Sequence, residues 1–149
     1  MLDPRDLFEF LIKNEICFFS GVPDSLLKNF CAYISDNCND NEHIISANEG
    51  NAIGLGVGHY LGSKKPPFIY LQNSGLGNTV NPLLSLADEE VYKIPLLLMI
   101  GWRGEPNLHD EPQHIKQGKV TTKLLDSMGI NWFLVGPETD NPIDIFKSA

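Results

Sequence analysis

The sequence lacks any excess of basic residues, and this absence limits the partners that the protein can bind. Eleven lysines and arginines are set against nineteen aspartates and glutamates, which gives a formal net charge of −8 over 149 residues. No basic cluster offsets that charge, so nucleic acid and anionic membranes are unfavourable partners. No apolar run approaches the ~20 residues of a membrane span. A small anionic substrate is still compatible with the sequence, because one or two placed cations can bind it.

Cysteine is also scarce, and the common catalytic motifs are missing. Cys17, Cys31 and Cys38 have no metal-ligand spacing. Because no signal peptide is recognisable, we expect reduced thiols and a cytoplasmic location. There is no P-loop and no nucleophile elbow, and the glycines between Gly54 and Gly58 have the wrong spacing and context for a dinucleotide fingerprint. The chemistry of this chain must therefore come from a less common arrangement.

Short apolar runs alternate with helical patterns from end to end. Five runs predict strands, namely Ile16–Ser20, His43–Ala47, Pro67–Leu71, Ile94–Ile100 and Trp132–Val135. Helices are predicted at about 4–14, after Ser25, after Asn48, at 80–87 with Pro82 in the first turn, at about 119–128, and from Pro142. Continuous apolar strands are typical of a parallel sheet covered on both faces. We expect one three-layer α/β/α domain over residues 1–149, with a mainly parallel sheet.

The stretch from His43 to Gly62 combines a strand, a turn and a helix. Asn48 is a good helix cap, and Glu49 follows it at the carboxyl end of the strand, where open α/β sheets bind ligands. An acid there can simply complement the helix dipole. Helical spacing, however, places Glu49 over the apolar residues Ala52 and Ile53, and a buried carboxylate needs a partner. No cation lies within a turn, so a ligand is one candidate partner.

Glycines recur every fourth residue along the same helix, at Gly50, Gly54, Gly58 and Gly62. Each glycine in a helix interior costs ~1 kcal/mol relative to alanine. Close approach of another backbone along this stripe would compensate for that cost. The pattern therefore predicts a helix–helix contact, between subunits or within the chain.

Two further regions carry residues suited to chemistry. Asp24 lies just past the carboxyl end of the first predicted strand, although its position also suits a simple helix cap. The irregular stretch Gly101–Gln113 holds Trp102, Arg103 and a histidine, with a second histidine directly after it. Irregular loops of this length within a compact domain are usually functional or disordered, and this composition favours function.

These residues also carry a resemblance to a known family. The blocks SGVPDSLL, ANEGNA, QNSGLGN, NPLLSLAD and GWRGEP followed by DEPQH occur in order over nearly the whole chain. They resemble the pyrimidine-binding domain of thiamin-diphosphate-dependent 2-oxo acid decarboxylases. The resemblance implies the thiamin-diphosphate-binding fold, thiamin diphosphate as cofactor and a carbon–carbon lyase activity. It favours phosphonopyruvate as the substrate, with phosphonoacetaldehyde and CO₂ as products, and leaves sulfopyruvate open through a separate alpha subunit.

The resemblance implies a role for several residues. Glu49 matches the glutamate that hydrogen-bonds the aminopyrimidine ring of the cofactor. Asp24 and His114 match positions that serve proton transfer near the reacting carbon. Asn73, Ser74 and Asn78 are expected to line the cofactor pocket, with loop and cap hydrogen bonding as the alternative.

The resemblance also suggests which residues bind the anionic substrate. Asp24 and Ser25 are expected to contact it, and the planar fork of Arg103 suits the oxygens of a phosphonate or sulfonate tail. A salt bridge from Arg103 to Glu105 or Asp110 is the alternative.

One family element is missing from the sequence. Members of this family bind the diphosphate and its Mg²⁺ through a second domain with a GDG motif, and no GDG occurs here. We therefore expect half of an active site, no metal site in this chain, and a homo-oligomer or hetero-oligomer that includes a diphosphate-binding domain. The end of the chain at Ala149 favours a fragment of a longer enzyme over a natural subunit. A non-catalytic module that keeps the fold is the remaining alternative.

Overall fold

Four parallel strands form the sheet of the computed structural model, which describes residues 2–147. The strands are β1 (Phe19–Gly21), β2 (His43–Ile45), β3 (Phe68–Gln72) and β4 (Leu97–Gly101). Their order in the sheet is β2-β1-β3-β4, with β3 pairing with β1 on one side and β4 on the other. The predicted parallel sheet is confirmed, and each strand lies within two or three residues of its predicted position.

Helices cover both faces of this sheet. They are α1 (Pro4–Lys13), α2 (Lys28–Asn37), α3 (Glu49–Ser63), α4 (Leu76–Pro82), α5 (Pro112–Ser127) and α6 (Pro142–Phe146). Phe68 and Tyr70 of β3 pack with α1 and α2, whereas Ile69 and Leu71 pack with α3, α4 and α5. This alternation confirms the three-layer α/β/α class. Within residues 2–147, no helix is long and apolar enough to cross a membrane.

The two clearest predicted helix starts are confirmed. The Asp3 side chain accepts hydrogen bonds from the amides of Arg5 and Asp6, and Pro4 occupies the first position of α1. The Asn48 side chain accepts a hydrogen bond from the amide of Gly50 at 2.8 Å. Glu49 is therefore the first residue of α3, next to the carboxyl end of β2.

The predicted position of Pro82 in a first helical turn is wrong. A short 3₁₀ turn, Asn73–Gly75, leads directly into α4, which begins at Leu76 and has Pro82 as its last residue. A π-helical turn, Leu83–Ala87, continues from it. Proline cannot donate the next hydrogen bond of an α-helix, and the wider turn is the usual way in which such a break is accommodated.

The predicted strand Trp132–Val135 is also wrong, since these residues are irregular in the structure. Trp132, Phe133 and Leu134 are 41%, 49% and 50% exposed. A cleft of about 1210 Å³ is lined both by this segment and by β4. A strand exists only through hydrogen bonds to a neighbour, and none of the four described strands pairs with this segment.

The last long helix starts earlier than its predicted start at about Lys119. α5 begins at Pro112, so that His114 lies in its first turn. Gly118 makes this extension possible, because a side chain there would overlap the carbonyl oxygen of Gly104. α5 thus packs directly on the loop that follows β4.

The glycines of α3 divide into two groups. A Cβ on Gly50 would crowd the carbonyl oxygen of Asn78, and one on Gly56 would crowd Pro67 and Ile69. At the other stripe positions, Gly54, Gly58 and Gly62, a Cβ would meet no atom within 4 Å. The close approach predicted from the stripe therefore occurs within the chain only at Gly50, and the rest of the stripe is open.

Candidate active site

The carboxyl ends of the strands bring the predicted site residues to one edge of the sheet. Asp24 follows β1, Glu49 follows β2, the turn Asn73–Gly75 follows β3, and Arg103 follows β4. This is the edge at which open α/β sheets bind ligands. The fold therefore gathers residues that lie far apart in sequence.

Asp24 is a buried carboxylate with neutral partners. Its side chain belongs to a residue only 5% exposed. Oδ2 accepts a hydrogen bond from the amide of Leu26 at 3.0 Å, and Oδ1 accepts one from Gln72 Nε2 at 2.6 Å. Gly101 lies so close to Oδ2 that a side chain there would overlap it. Asp24 does cap the segment leading into α2, but its second oxygen is held by another element.

Gln72 is the residue of this edge that the sequence did not single out. It ends β3 and is half-buried. Besides its bond to Asp24, it accepts a hydrogen bond through Oε1 from Ser74 Oγ at 2.6 Å. The sequence feature that could have identified Gln72 is its position as a polar residue directly after the apolar run of the predicted strand.

Glu49 lies half-buried at the start of α3. Its Oε2 accepts a hydrogen bond from Asn78 Nδ2 at 2.8 Å, and its carboxylate lies directly against Gly75. Ala52 and Ile53 behind it are fully buried, which confirms the apolar face predicted from the helical spacing. The structure therefore supplies one partner for this carboxylate within the chain.

Asn73 holds the turn in place. It is only 2% exposed, and its Nδ2 donates to the carbonyl oxygen of Arg103 at 2.8 Å and to Thr121 Oγ1 at 2.9 Å. Its Oδ1 accepts from the amide of Arg103 at 3.1 Å. These are loop hydrogen bonds, whereas Ser74 and Asn78 are exposed.

Arg103 makes an ion pair with Asp110. Its Nε donates to Asp110 Oδ2 at 2.8 Å, a second N–H donates to Oδ1, and Nη1 donates to Ser25 Oγ at 3.0 Å. Asp110 also accepts from the amides of Gly104 and Glu111. The Arg103 hydrogen bonds are the largest cause that holds the pKa of Asp110 below its ordinary value, and they raise the pKa of Arg103. Of the two predicted salt-bridge partners, Asp110 is the one found.

His114 stands apart from the other predicted residues. It is half-buried, its amide donates to the carbonyl oxygen of Glu111 at 2.9 Å, and its own carbonyl lies against Gly104. In the part of the chain that the structure describes, its imidazole has no hydrogen-bond partner. The structure joins Asp24, Ser25 and Arg103, and separately Glu49 and Asn78, but it does not join His114 to either group.

A metal site is not formed by the described residues. Between residues 2 and 147, no three or more His, Cys, Asp or Glu side chains group so as to hold a metal ion.

Comparison with known proteins finds relatives among decarboxylases. The relatives include the alpha subunit of sulfopyruvate decarboxylase from Methanococcus maripaludis, which is 35% identical over 144 residues, covering 96% of this chain and 82% of the relative. Phosphonopyruvate decarboxylase from Streptomyces viridochromogenes is 36% identical over 141 residues, covering 94% of this chain but only 34% of the relative.

A solved structure shares the fold of this chain, and a family model matches most of its length. The benzoylformate decarboxylase structure from Polynucleobacter necessarius matches with a TM-score of 0.58 and 23% identity, over 80% of this chain and 23% of that one, which shows a shared fold. Residues 5–129 match the family described as thiamine pyrophosphate enzyme, N-terminal TPP binding domain. The chain therefore belongs to the N-terminal thiamine pyrophosphate (thiamin diphosphate) binding domains of thiamine pyrophosphate enzymes.

Proposed function

We propose that this chain is the pyrimidine-binding half of a thiamin-diphosphate-dependent decarboxylase that acts on a 2-oxo acid with an anionic tail. The observation that carries the proposal is Glu49, whose carboxylate is oriented by Asn78 at the ligand-binding edge of the sheet. An acid in this position can hydrogen-bond a ring nitrogen of an aminopyrimidine. Gly75, which has no side chain, leaves room for the carboxylate beside the turn.

The residues present fit the pyrimidine half of the cofactor. Glu49 is half-buried, with the buried Ala52 and Ile53 behind it, which keeps water from one side of its carboxylate. Its second oxygen, Oε1, is left to the ligand, and the exposed Ser74 and Asn78 border the same turn. Bound thiamin diphosphate would supply the electron sink for the electrons released with CO₂.

The residues present do not fit the diphosphate half. A diphosphate is usually met by a magnesium ion with acidic ligands and by helix N-termini. The described residues form no such ligand group, and the chain carries a net charge of −8. We therefore assign the diphosphate and Mg²⁺ to a second domain or subunit. Several relatives are alpha subunits of sulfopyruvate decarboxylase, which supports such a partner.

Asp24 is the proposed proton-transfer group of this half. Its carboxylate is buried, forms no ion pair among the described residues, and lies at the ligand-binding edge of the sheet. His114, in the first turn of α5, is proposed as a second proton-transfer group. General acid–base groups of this kind contribute ~10²- to 10⁴-fold to a rate.

The substrate's tail is assigned to Ser25 and Arg103. Three N–H groups of the guanidinium are used by Asp110 and Ser25, and the others remain for an anion. Asp110 holds the fork in one orientation, so that little side-chain entropy is lost when a phosphonate binds. Phosphonopyruvate is our first candidate substrate. Sulfopyruvate is the second, and the named relatives support it equally.

Substrate comparison in the complete enzyme tests this proposal. The chain assembled with its diphosphate-binding domain, thiamin diphosphate and Mg²⁺ should release CO₂ from phosphonopyruvate or sulfopyruvate far faster than from pyruvate. Release from neither acid would contradict the proposed function and favour a non-catalytic module.

A pair of variants tests the role of the guanidinium. Arg103→Ala should raise KM for the preferred substrate far more than KM for pyruvate. The double variant Arg103→Ala with Asp110→Ala removes the unpaired carboxylate that the single change leaves behind. If both variants raise the two KM values equally, Arg103 only maintains the loop.

A further inference from the structure

We propose that Gln72 is a positioning residue that fixes the orientation of the Asp24 carboxylate for proton transfer. The inference rests on the proposed decarboxylase function, because it gives Asp24 a reaction to serve. It goes beyond that function by adding a residue to the site and by naming the atoms through which it acts.

The hydrogen bonds determine which way the Gln72 amide faces. A carboxylate can only accept hydrogen bonds, so the atom that faces Asp24 Oδ1 at 2.6 Å must be the amide nitrogen. The amide oxygen then faces Ser74, whose hydroxyl donates to it at 2.6 Å. Ser74 therefore prevents the amide from flipping, and Gln72 presents a fixed donor to Asp24.

Asp24 depends on this donor because its other contacts leave it few alternatives. Oδ2 is held by the amide of Leu26 and covered by Gly101, so it is turned into the protein. Among the described residues, Gln72 is the only side chain that donates to Oδ1. Rotation of the carboxylate about its Cβ–Cγ bond is thus controlled by one backbone amide and one side-chain amide.

The strand that carries Gln72 is suited to this task. Gln72 follows Phe68 and Tyr70 on the face of β3 that packs against α1 and α2. Phe68, Ile69, Tyr70 and Leu71 are all fully buried, and β3 has a hydrogen-bonded strand on each side. A functional group on a rigid, central strand is positioned more accurately than one on a loop.

Asp24 is not ion-paired with the arginine of the neighbouring loop. Arg103 interacts electrostatically with Asp24, but its hydrogen bonds go to Asp110 and Ser25. A buried carboxylate that was there only for stability would be better served by an ion pair or by an apolar replacement. The Leu26 amide and Gln72 instead hold the carboxylate in place through neutral donors.

A double-mutant cycle in the complete enzyme tests the inference. Gln72→Leu should lower kcat about 10- to 100-fold with little change in KM for the substrate, since misplacing a reacting group by about 1 Å costs that much. In the Asp24→Asn background, the same change should lower kcat less than about twofold, because the group that Gln72 positions is already lost. The measurements use phosphonopyruvate and sulfopyruvate at saturating cofactor.

Two further variants serve as a control and as a safeguard. Tyr70 lies on the same strand as Gln72. Tyr70→Phe removes the part-buried hydrogen bond between the Tyr70 hydroxyl and His43 Nε2, 2.8 Å long, and should leave kcat unchanged. If Gln72→Leu does not fold, Ser74→Ala takes its place, since Ser74 is exposed and its loss frees the Gln72 amide to rotate. Ser74→Ala should lower kcat less than Gln72→Leu does, and this loss should also disappear in the Asp24→Asn background.

The outcomes separate the two proposals. A wild-type enzyme that decarboxylates neither acid would overturn the proposed function and, with it, this inference. An active wild type whose kcat is unchanged by Gln72→Leu would overturn this inference alone. Equal losses of kcat in the wild-type and Asp24→Asn backgrounds would do the same, because Gln72 would then act through another group.

Discussion

The two carboxylates at the sheet edge are held in different ways. Asp24 is enclosed, with both oxygens bonded to protein donors, whereas Glu49 is half-buried with one oxygen bonded to Asn78. An acid that must contact a ligand ring needs an accessible oxygen, and an acid that exchanges protons benefits from exclusion of water. This difference in environment is the reason why we propose separate roles for the two residues.

Glu49→Gln should preserve the fold but slow activation of the cofactor. The amide is nearly the same size and can still bond Asn78, but it cannot act as a carboxylate toward the aminopyrimidine. We expect exchange of the thiazolium proton in the complete enzyme, followed by NMR, to slow by several orders of magnitude. Glu90→Gln, an exposed change away from the site, is the control. Unchanged exchange in Glu49→Gln would refute the assignment.

Asp110 should contribute to stability in a pH-dependent way. Its pKa is lowered in the folded chain, chiefly by Arg103, so it stabilises the fold above its unfolded pKa and loses that contribution as the pH falls toward its folded value. Asp110→Asn should therefore lower the free energy of unfolding at pH 7, and this deficit should shrink below about pH 4.

Urea unfolding at both pH values measures this difference. Glu105→Gln, in the same loop but without a hydrogen bond to Arg103, should show little change at either pH. A deficit in Asp110→Asn that stays constant between pH 7 and pH 3 would show that the Arg103 pair does not depend on the carboxylate charge.

Sequence position alone placed two of the candidate residues at the correct edge of the sheet. Glu49 and Asp24 each follow an apolar run, and strand ends in a parallel sheet meet at one edge. Gln72 was missed because the contact that distinguishes it joins residues 48 positions apart. The choice between Glu105 and Asp110 as partner of Arg103 needed the path of the loop, which no pattern encodes.

At the scale of elements, α3 combines a buried face with an open one. Ala52, Ile53, Gly56 and Val57 face the core, whereas Gly54, Gly58 and Gly62 have open space beside them. Leu55 and Leu61 on this side are 38% and 48% exposed. An open face of glycine and leucine leaves the cost of the glycines uncompensated within the chain.

Gly54→Leu should weaken assembly without harming the chain itself. A side chain there meets no atom, and replacing glycine in a helix contributes up to about 1 kcal/mol of stability. In the assembly it would force apart any helix packed on this face, so sedimentation should show a smaller species. Gly136→Leu, which is also unobstructed but lies outside α3, is the control. A wild-type chain that stays monomeric at high concentration would contradict this prediction.

The elements themselves were predictable to different degrees. Helix starts with a cap and an apolar periodicity were found, as at Asp3 and Asn48, because those signals are local. The start of α5 was missed because its first turns are stabilised by packing of Gly118 against Gly104, a contact between distant residues. Trp132–Val135 has the composition of a strand, but composition does not supply the neighbouring strand that it needs.

At the scale of the whole molecule, we propose that the chain supplies half of a binding site. Its groups suit the cofactor's pyrimidine ring, and the described residues form no ligand set for the metal that accompanies the diphosphate. Binding one small ring yields only a few kcal/mol once the entropy of association is met. The missing GDG motif leads to the same expectation from the sequence alone.

The isolated 149-residue chain should therefore not hold thiamin diphosphate at micromolar concentrations. We expect millimolar affinity at most, equivalent to about 4 kcal/mol, and no decarboxylation. Isothermal calorimetry with cofactor and Mg²⁺ measures this, and adding the diphosphate-binding partner should restore tight binding. Micromolar binding by the chain alone would show that a diphosphate site is present in it.

The central position of β3 also affects how the site moves with time. Exchange of a buried strand amide with solvent requires the strand to separate from both neighbours, which usually happens only when the whole domain unfolds. Amides of Ile69 to Leu71 should thus exchange at the rate set by global unfolding, whereas those of the edge strand β2 should exchange through local opening. Since Gln72 and the turn that contacts Glu49 continue from β3, the site's polar groups are attached to the most slowly opening part of the sheet. Any conformational change during turnover is then expected in the loop that carries Arg103 and in the open side of α3.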